Sequence, residues 1–582
     1  MTLFAVWAPE ARTVEVETLG RRHSMAPSRI GQGWWEIRVP DAHHGTDYAF
    51  VVDGGSPTPD PRSRWQPQGV HGPSRVYEDR YGWGDTAWTG RQLPGSVIYE
   101  MHVGTFTPEG TFDAAIATLD ALVDLGVSAV EVMPVASFPG RNGWGYDGVH
   151  LYAVHEPYGG PDEFKRFVDA AHQVGLAVIL DCVYNHLGPS GNYLSVFGPY
   201  FTGMHSTPWG DAVNLDDRGA GEVRRWVIDN ARQWLEEFHV DGLRLDAVHA
   251  LVDETATHLL AELAAEVDRL SAHVRRPLSL IAESDRNDAS FVTPREAGGY
   301  GLTGQWDDDV HHALHALLTG ESQGYYGDFA EDPVAALTAV LTGAFFHAGT
   351  WSSFRGRVHG ATVDRERTPA YRFVAYTQTH DQVGNRATGD RLAATLSDGR
   401  LKIGAALVLT GPFTPMLFMG EEYAAATPWQ YFTDHQEPEL AEAVRQGRRR
   451  EFAEHGWSED QVPDPQDPAT RDRSVLDWAE RERDSRGLLA WYRSLLALRR
   501  EREELTDPRL SRVRVSSEPG PVLTVERGGL RVVANLSDEP RSHEVGAESA
   551  LLLGSEDGVR VSGSTVKLPG ESVAVLEMGP LP

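Results

Sequence analysis

Acidic residues that close apolar runs are the first candidates for chemistry in this chain. In Gly242-Leu243-Arg244-Leu245-Asp246, Arg244 and Asp246 are two apart, so on a strand both side chains leave from the same side. A fixed cation beside a carboxylate keeps it ionised, as a nucleophile requires. Glu283 ends the run Leu278-Ser279-Leu280-Ile281-Ala282 and so emerges from a hydrophobic strand. Desolvation there raises its pKa, which is what a general acid at neutral pH needs. Tyr376-Thr377-Gln378-Thr379-His380-Asp381-Gln382 carries a third acid. Asp381 can brace a cationic transition state while His380 donates to a sugar hydroxyl. Taken singly, each fragment also reads as a structural ion pair, a capping Glu or a turn. Two further clusters suit carbohydrate: Gly143-Trp144-Gly145-Tyr146-Asp147-Gly148 as an aromatic platform, and Asp181-Cys182-Val183-Tyr184-Asn185-His186 as polar groups that read hydroxyl rims.

These residues need a frame that brings strand ends together. Eight strand candidates follow one another, alternating with amphipathic helical stretches: 97–102, 129–133, 176–184, 242–248, 278–283, 304–307, 373–378 and 415–419. Eight βα repeats predict a closed (β/α)₈ barrel, an α/β fold whose chemistry sits at the C-terminal ends of the strands. Residues 221–238 have the spacing of a covering helix with Val223, Trp226, Val227, Trp234 and Leu235 inward. Residues 186–219 read as a long loop on the functional face. Short alternating runs before and after the barrel predict antiparallel β modules. The expected division is 1–90, an N-terminal β-sandwich resembling a carbohydrate-binding module; 91–504, the barrel with loop insertions; and 505–582, a C-terminal β domain. Trp7, Trp34 and Trp35 of the first module are read as packing residues.

Composition narrows the partners. Acidic residues number 84 against 53 basic, a net charge of −31, which repels phosphate backbones and anionic membranes and favours a neutral substrate. No nucleic acid or membrane partner is expected. The single cysteine, Cys182, allows no internal disulfide, and the N-terminus lacks a signal-peptide pattern, so a cytoplasmic location is expected. His311 and His315 are spaced as a metal pair, but no third ligand stands at motif spacing; no metal or cofactor is expected.

Together, the four fragments around Asp181–His186, Gly242–Asp246, Glu283 and Tyr376–Gln382 resemble the short signature regions of the α-amylase superfamily, family 13 of the glycoside hydrolases. That resemblance implies a retaining α-glycosidase with Asp246 as nucleophile, Glu283 as acid/base and Asp381 as transition-state stabiliser. It implies Arg244, His186 and His380 as supports around the cleaved glucose, with Tyr146 stacking on that sugar and Asp147 holding it. Longer runs, including Pro59-Asp60-Pro61-Arg62-Ser63-Arg64-Trp65-Gln66-Pro67, Glu283-Ser284-Asp285-Arg286-Asn287-Asp288 and Trp306-Asp307-Asp308-Asp309-Val310-His311-His312, resemble the branch of the superfamily that frees trehalose from chain ends. The implied substrate is malto-oligosyltrehalose or a related α-glucan, with functional coupling to an upstream trehalose-forming glucan isomerase. Asp285, Asn287, Asp308, Asp309, His312 and Gln382 are the expected substrate-binding residues beyond the shared regions. A glucan branching or debranching enzyme and a non-catalytic glucan-binding protein are the alternative readings.

Overall fold

Strands covered on both faces read as unbroken apolar runs, and the middle of the chain follows that rule. The computed structural model describes residues 1–453, 458, 461–517, 520–546 and 548–578. In it the eight runs become the parallel strands β1 (Ile98–Met101), β2 (Ala129–Val132), β3 (Ala177–Cys182), β4 (Gly242–Leu245), β5 (Ser279–Ala282), β6 (Gly304–Trp306), β7 (Phe373–Ala375) and β8 (Thr414–Phe418). They pair in chain order and close on themselves, with Met416 of β8 opposite Ile98 of β1.

Alternation along these strands sorts the barrel interior into layers. Ile98, Ala129, Ile179, Ile281, Trp306, Val374 and Met416 pack together as an apolar core inside the barrel. Two residues further along the same strands come Glu100, Glu131, Asp181, Glu283 and Asp308, and the polar side continues on β4 as Arg244 and Asp246. The apolar plug therefore holds a ring of charged groups at the C-terminal mouth.

The covering helix runs from Ala220 to Arg232 and continues through a π-helical turn over Gln233–Glu237. All five residues of its expected inner stripe are buried. Within the turn, the Trp234 indole donates to Asn230 Oδ1 at 3.0 Å, and the same oxygen accepts the Tyr184 hydroxyl at 2.8 Å. The long loop carries more structure than its Gly, Pro and Ser content suggests. Phe201–Thr207 and Gly210–Val213 pair as a hairpin. Gly210, at φ +111°, takes the turn conformation that other residues resist.

The N-terminal strands form two antiparallel sheets, one pairing Thr2–Trp7 with Trp34–Val39 and the other built around Val14–Thr18 and Asp47–Val52. Trp7 meets Tyr200 edge-on with centroids 5.5 Å apart, Trp34 donates to Glu222 at 3.2 Å, and Trp35 donates to the Ala8 carbonyl at 3.1 Å. These tryptophans join the module to the barrel and to itself. The Pro59–Pro67 run acts as a strap in the same place: Arg62 donates to Asp229 at 2.8 Å and Tyr152 at 3.0 Å, and the Trp226 indole donates to the Pro61 carbonyl at 3.0 Å. After the barrel, Val522–Arg527 and Leu530–Asn535 lie within a five-stranded antiparallel sheet, beside a second sheet of three strands. Among the described residues, no helix is long and apolar enough to cross a membrane.

Candidate active site

Arg244 is the centre of the ring of charges. Its Nη1 donates to both oxygens of Asp181 at 2.9 Å and to Asp246 Oδ1 at 2.8 Å, while Nη2 lies 3.7 Å from Glu283 Oε2. Its guanidinium also sits 4.3 Å from the Trp306 ring centroid, a cation–π contact that holds the fork flat across the barrel mouth. One fixed cation thus faces both the Asp246 and the Glu283 carboxyl, and its rigid donor geometry gives them a defined relative position.

The backbone beyond β4 is strained to the same end. Ala247 has φ +38°, a left-handed conformation unusual for a residue with a Cβ, and its N–H donates to Glu283 Oε2 at 2.6 Å. Burial pushes the Glu283 carboxyl well above the usual carboxylate range. The charges of Asp246 and Asp308 push it the same way, against the pull of Arg244. Burial also raises Asp381, with Asp308 adding to it and His380 opposing.

A cleft of about 350 Å³ opens over these groups. Tyr146, Asp147, His186, Arg244, Asp246, Glu283, His380 and Asp381 all line it, so most of the expected site is brought together. Tyr146 and His380 lie nearly parallel at 5.2 Å, and the tyrosine hydroxyl donates to Asp181 at 2.6 Å. Asp308 stands at the end of β6, where it accepts from Tyr376 at 2.5 Å and from Gln382 at 3.2 Å. Gln382 therefore reaches the site through Asp308. Its own carbonyl accepts the Thr379 hydroxyl at 2.5 Å, and the same hydroxyl caps the Asp381 N–H at 3.2 Å.

Asp285, Asn287, Asp308, Asp309, His312 and Gln382 are not among the residues lining this cleft, and three of them are held by protein groups. Asn287 is buried, and its amide donates to Asp309 at 2.8 Å and to the His347 carbonyl at 3.1 Å. Asp309 Oδ2 accepts from that amide and from the N–H groups of Phe346 and His347, both at 2.9 Å. His312 is packed between the Tyr325 and Phe329 rings and faces Asp309 at 3.7 Å. Asn287 and Asp309 tie the segments after β5 and β6 together, and His312 packs beside them. Asp309→Ala leaves two buried donors and one half-buried donor without that acceptor and is expected to cost about 2 to 4 kcal/mol. A fall of several degrees in melting temperature checks this; an unchanged melting temperature contradicts it.

The possible metal pair is also engaged, His311 with the Thr377 carbonyl and the Tyr326 hydroxyl and His315 with Glu321. Among the described residues, no group of three or more metal-ligating side chains is assembled.

Other side chains belong to the site without having been expected. Trp209, at the tip of the hairpin in the long loop, stacks on His186 at 4.6 Å and 3°. Its only sequence signal is the Thr207-Pro208-Trp209-Gly210 turn. His249 lines the cleft three residues beyond Asp246. Arg355, on the hairpin of Thr350–Ser352 and Arg357–His359, pairs with Asp285 at 3.2 Å. Glu100 grips His380 from beneath, accepting its backbone N–H at 2.9 Å and facing its Nδ1.

Comparison with known proteins places this geometry. Residues 1–79 match the model of carbohydrate-binding module 48, the isoamylase N-terminal domain; residues 75–196 match the alpha amylase catalytic domain; and residues 508–575 match a domain of unknown function. A malto-oligosyltrehalose trehalohydrolase from Arthrobacter ramosus is 56% identical over 90% of this chain and 95% of its own. One from Rhizobium sp. (strain M-11) is 52% identical over 98% and 97%. A crystal structure from Salmonella typhimurium, described by assignment as an alpha amylase, superposes with a TM-score of 0.90 at 40% identity, covering 99% of this chain and 97% of that one. With its eight-stranded barrel, its cleft of paired carboxyls and this degree of identity, the chain belongs to the malto-oligosyltrehalose trehalohydrolase family of the α-amylase superfamily.

Proposed function

We propose that the protein hydrolyses the α-1,4-glucosidic bond next to the terminal trehalose of malto-oligosyltrehalose, with retention of configuration, and releases trehalose and a malto-oligosaccharide. The observation that carries the reading is the single guanidinium of Arg244 facing Asp246 on one side and, on the other, Glu283, whose carboxyl burial holds above the usual carboxylate range. In this mechanism Asp246 Oδ attacks the anomeric carbon as Glu283 gives its proton to the departing glycosidic oxygen. The carbon–oxygen bond to trehalose breaks, and an ester to Asp246 forms. Glu283, now a carboxylate, takes a proton from water, which attacks the same carbon and frees Asp246. Asp381 faces the cationic sugar of the transition state, and Tyr146 supplies a flat face for it.

Recognition of trehalose is assigned to the leaving-group side. Asp285 follows the acid/base by two residues, and its loop is clamped by Arg355 and by His359, which bonds the Asp285 carbonyl at 2.8 Å. Phe354 of the same hairpin meets Tyr325 edge-on at 5.8 Å. Asp308 completes this wall. Supply of the substrate by an upstream trehalose-forming glucan isomerase is part of the same proposal.

Product analysis on a trehalose-ended malto-oligosaccharide tests the reading: free trehalose supports it, whereas new or lost α-1,6 branches without trehalose would replace it with branching or debranching. The pH profile gives a second test. The alkaline limb of kcat/KM reports loss of the acid proton from Glu283. Since the Asp308 charge helps to raise Glu283, Asp308→Asn is expected to lower that pKa and move the limb to more acidic pH. A limb that stays in place or moves to higher pH would separate Asp308 from the acid/base.

A further inference from the structure

Tyr146 has a single hydroxyl hydrogen and two close neighbours. Its oxygen is 2.6 Å from Asp181 Oδ2 and 2.8 Å from His380 Nε2. Burial raises the Asp181 carboxyl to about 6; above that pH, held through both oxygens by Arg244, it accepts only, so the tyrosine hydrogen goes to it. His380 Nε2 must then carry a hydrogen of its own to bond the tyrosine oxygen. On the opposite edge of the ring, Nδ1 faces Glu100 Oε1, while Glu100 Oε2 accepts the His380 backbone N–H at 2.9 Å. A carboxylate in that place also requires a hydrogen on the nitrogen it meets. Both ring nitrogens are donors, and a histidine with two donors is charged.

We propose that Glu100 is a positioning residue that keeps His380 an imidazolium, and so fixes the direction of a hydrogen-bond chain from Glu100 through His380, Tyr146 and Asp181 to Arg244 and Asp246. Glu100 is 1% exposed and lies beneath the cleft, so it acts through His380. The titratable and charged groups around His380 are Glu100 on β1, His102 just after it, Tyr146 after β2, Asp181 on β3, Arg244 on β4 and the adjoining Asp381; the carboxylates favour a charged ring, and Arg244 and His102 oppose it. Burial alone would lower the His380 pKa, but the charge and hydrogen bond of Glu100 raise it above the ordinary value, with Asp381 helping and Arg244 opposing.

The direction of the chain matters because it can reverse. A neutral His380 with its one hydrogen on Nδ1 turns Nε2 into an acceptor, and Tyr146 then donates to it. Asp181 loses that donor, and the balance of Arg244 between Asp181 and Asp246 shifts with it. A charged ring forbids the reversal.

The proposal rests on the hydrolytic reading, because its kinetic test needs turnover. With a trehalose-ended malto-oligosaccharide as substrate, the ratio of variant to wild-type kcat/KM is measured from about pH 5 to about pH 8, on either side of the ordinary histidine pKa of ~6.5. Glu100→Ala leaves Nδ1 without a partner, so the ratio is expected to fall to roughly one-tenth or less at the alkaline end and to recover as acid recharges the ring. Glu100→Gln can donate its amide to Nδ1 and hold the single hydrogen on Nε2, so it is expected to retain more activity than Glu100→Ala at the alkaline end. A loss that is equal at every pH, or equal for both variants, would mean that Glu100 only fills space and would overturn the proposal. Wild-type protein with no turnover at all would instead overturn the hydrolytic reading. Neutron diffraction from wild-type crystals near neutral pH decides independently of activity and of variant folding: hydrogen on both Nδ1 and Nε2 of His380 is expected, and either nitrogen found bare overturns the assignment.

Discussion

Asp246→Asn is expected to lower kcat by more than about a thousandfold, because a retaining mechanism forms its covalent intermediate on this carboxylate and the amide cannot replace it. The fold should survive. Arg244 keeps both oxygens of Asp181 at 2.9 Å as its partner, so the substitution does not strand a buried cation. The test is paired: single-turnover and steady-state rates on a trehalose-ended chain, with thermal unfolding of the same preparation. A loss of less than about tenfold would remove Asp246 from the nucleophile's role, and a collapse of the unfolding transition would mean that the loss reports folding.

The second large effect is selectivity. Trehalose differs from maltose in its α,α-1,1 link, so its second ring turns elsewhere and offers different hydroxyls to the recognition wall proposed for Asp285, Arg355 and Asp308. A buried polar group left unpaired by the wrong sugar costs ~1 to 3 kcal/mol, so two such groups give a preference of roughly a hundredfold. The measurement is kcat/KM for a trehalose-ended against a maltose-ended chain of equal length. Asp285→Ala and Asp308→Ala are each expected to cut the preference about tenfold. Asp309→Ala, which removes the acceptor of Asn287 and of the Phe346 and His347 N–H groups, is expected to leave the preference intact while lowering stability. Equal kcat/KM for the two chains in wild-type protein would end the trehalose reading. A preference unchanged by both wall substitutions would put the pocket elsewhere.

The barrel was legible because its strands are covered on both sides: an unbroken apolar run such as Val178-Ile179-Leu180 has no other good reading beside amphipathic helices of matching length. The carboxyls at strand ends were legible for the same reason, since an acid that closes such a run must emerge at a mouth. What local sequence hides is pairing across distance. Asn287 and Asp309 look like ligands after β5 and β6, yet they bind each other across 22 positions. Glu100 sits within the apolar run of β1 and gives no sign of His380, 280 residues away. Trp209 lies in a segment whose composition says loop, and only the hairpin turn carries its ring back onto His186.

The most direct test of retaining hydrolysis beside trehalose is proton NMR of maltotriosyltrehalose during its first turnovers, before the released sugar can mutarotate. Free trehalose should appear together with maltotriose whose new reducing end is the α-anomer, because two displacements at one carbon restore its configuration. A β-anomer at that end would mean inversion and a water-activating role for Asp246, and maltose or glucose appearing without trehalose would contradict cleavage at this bond.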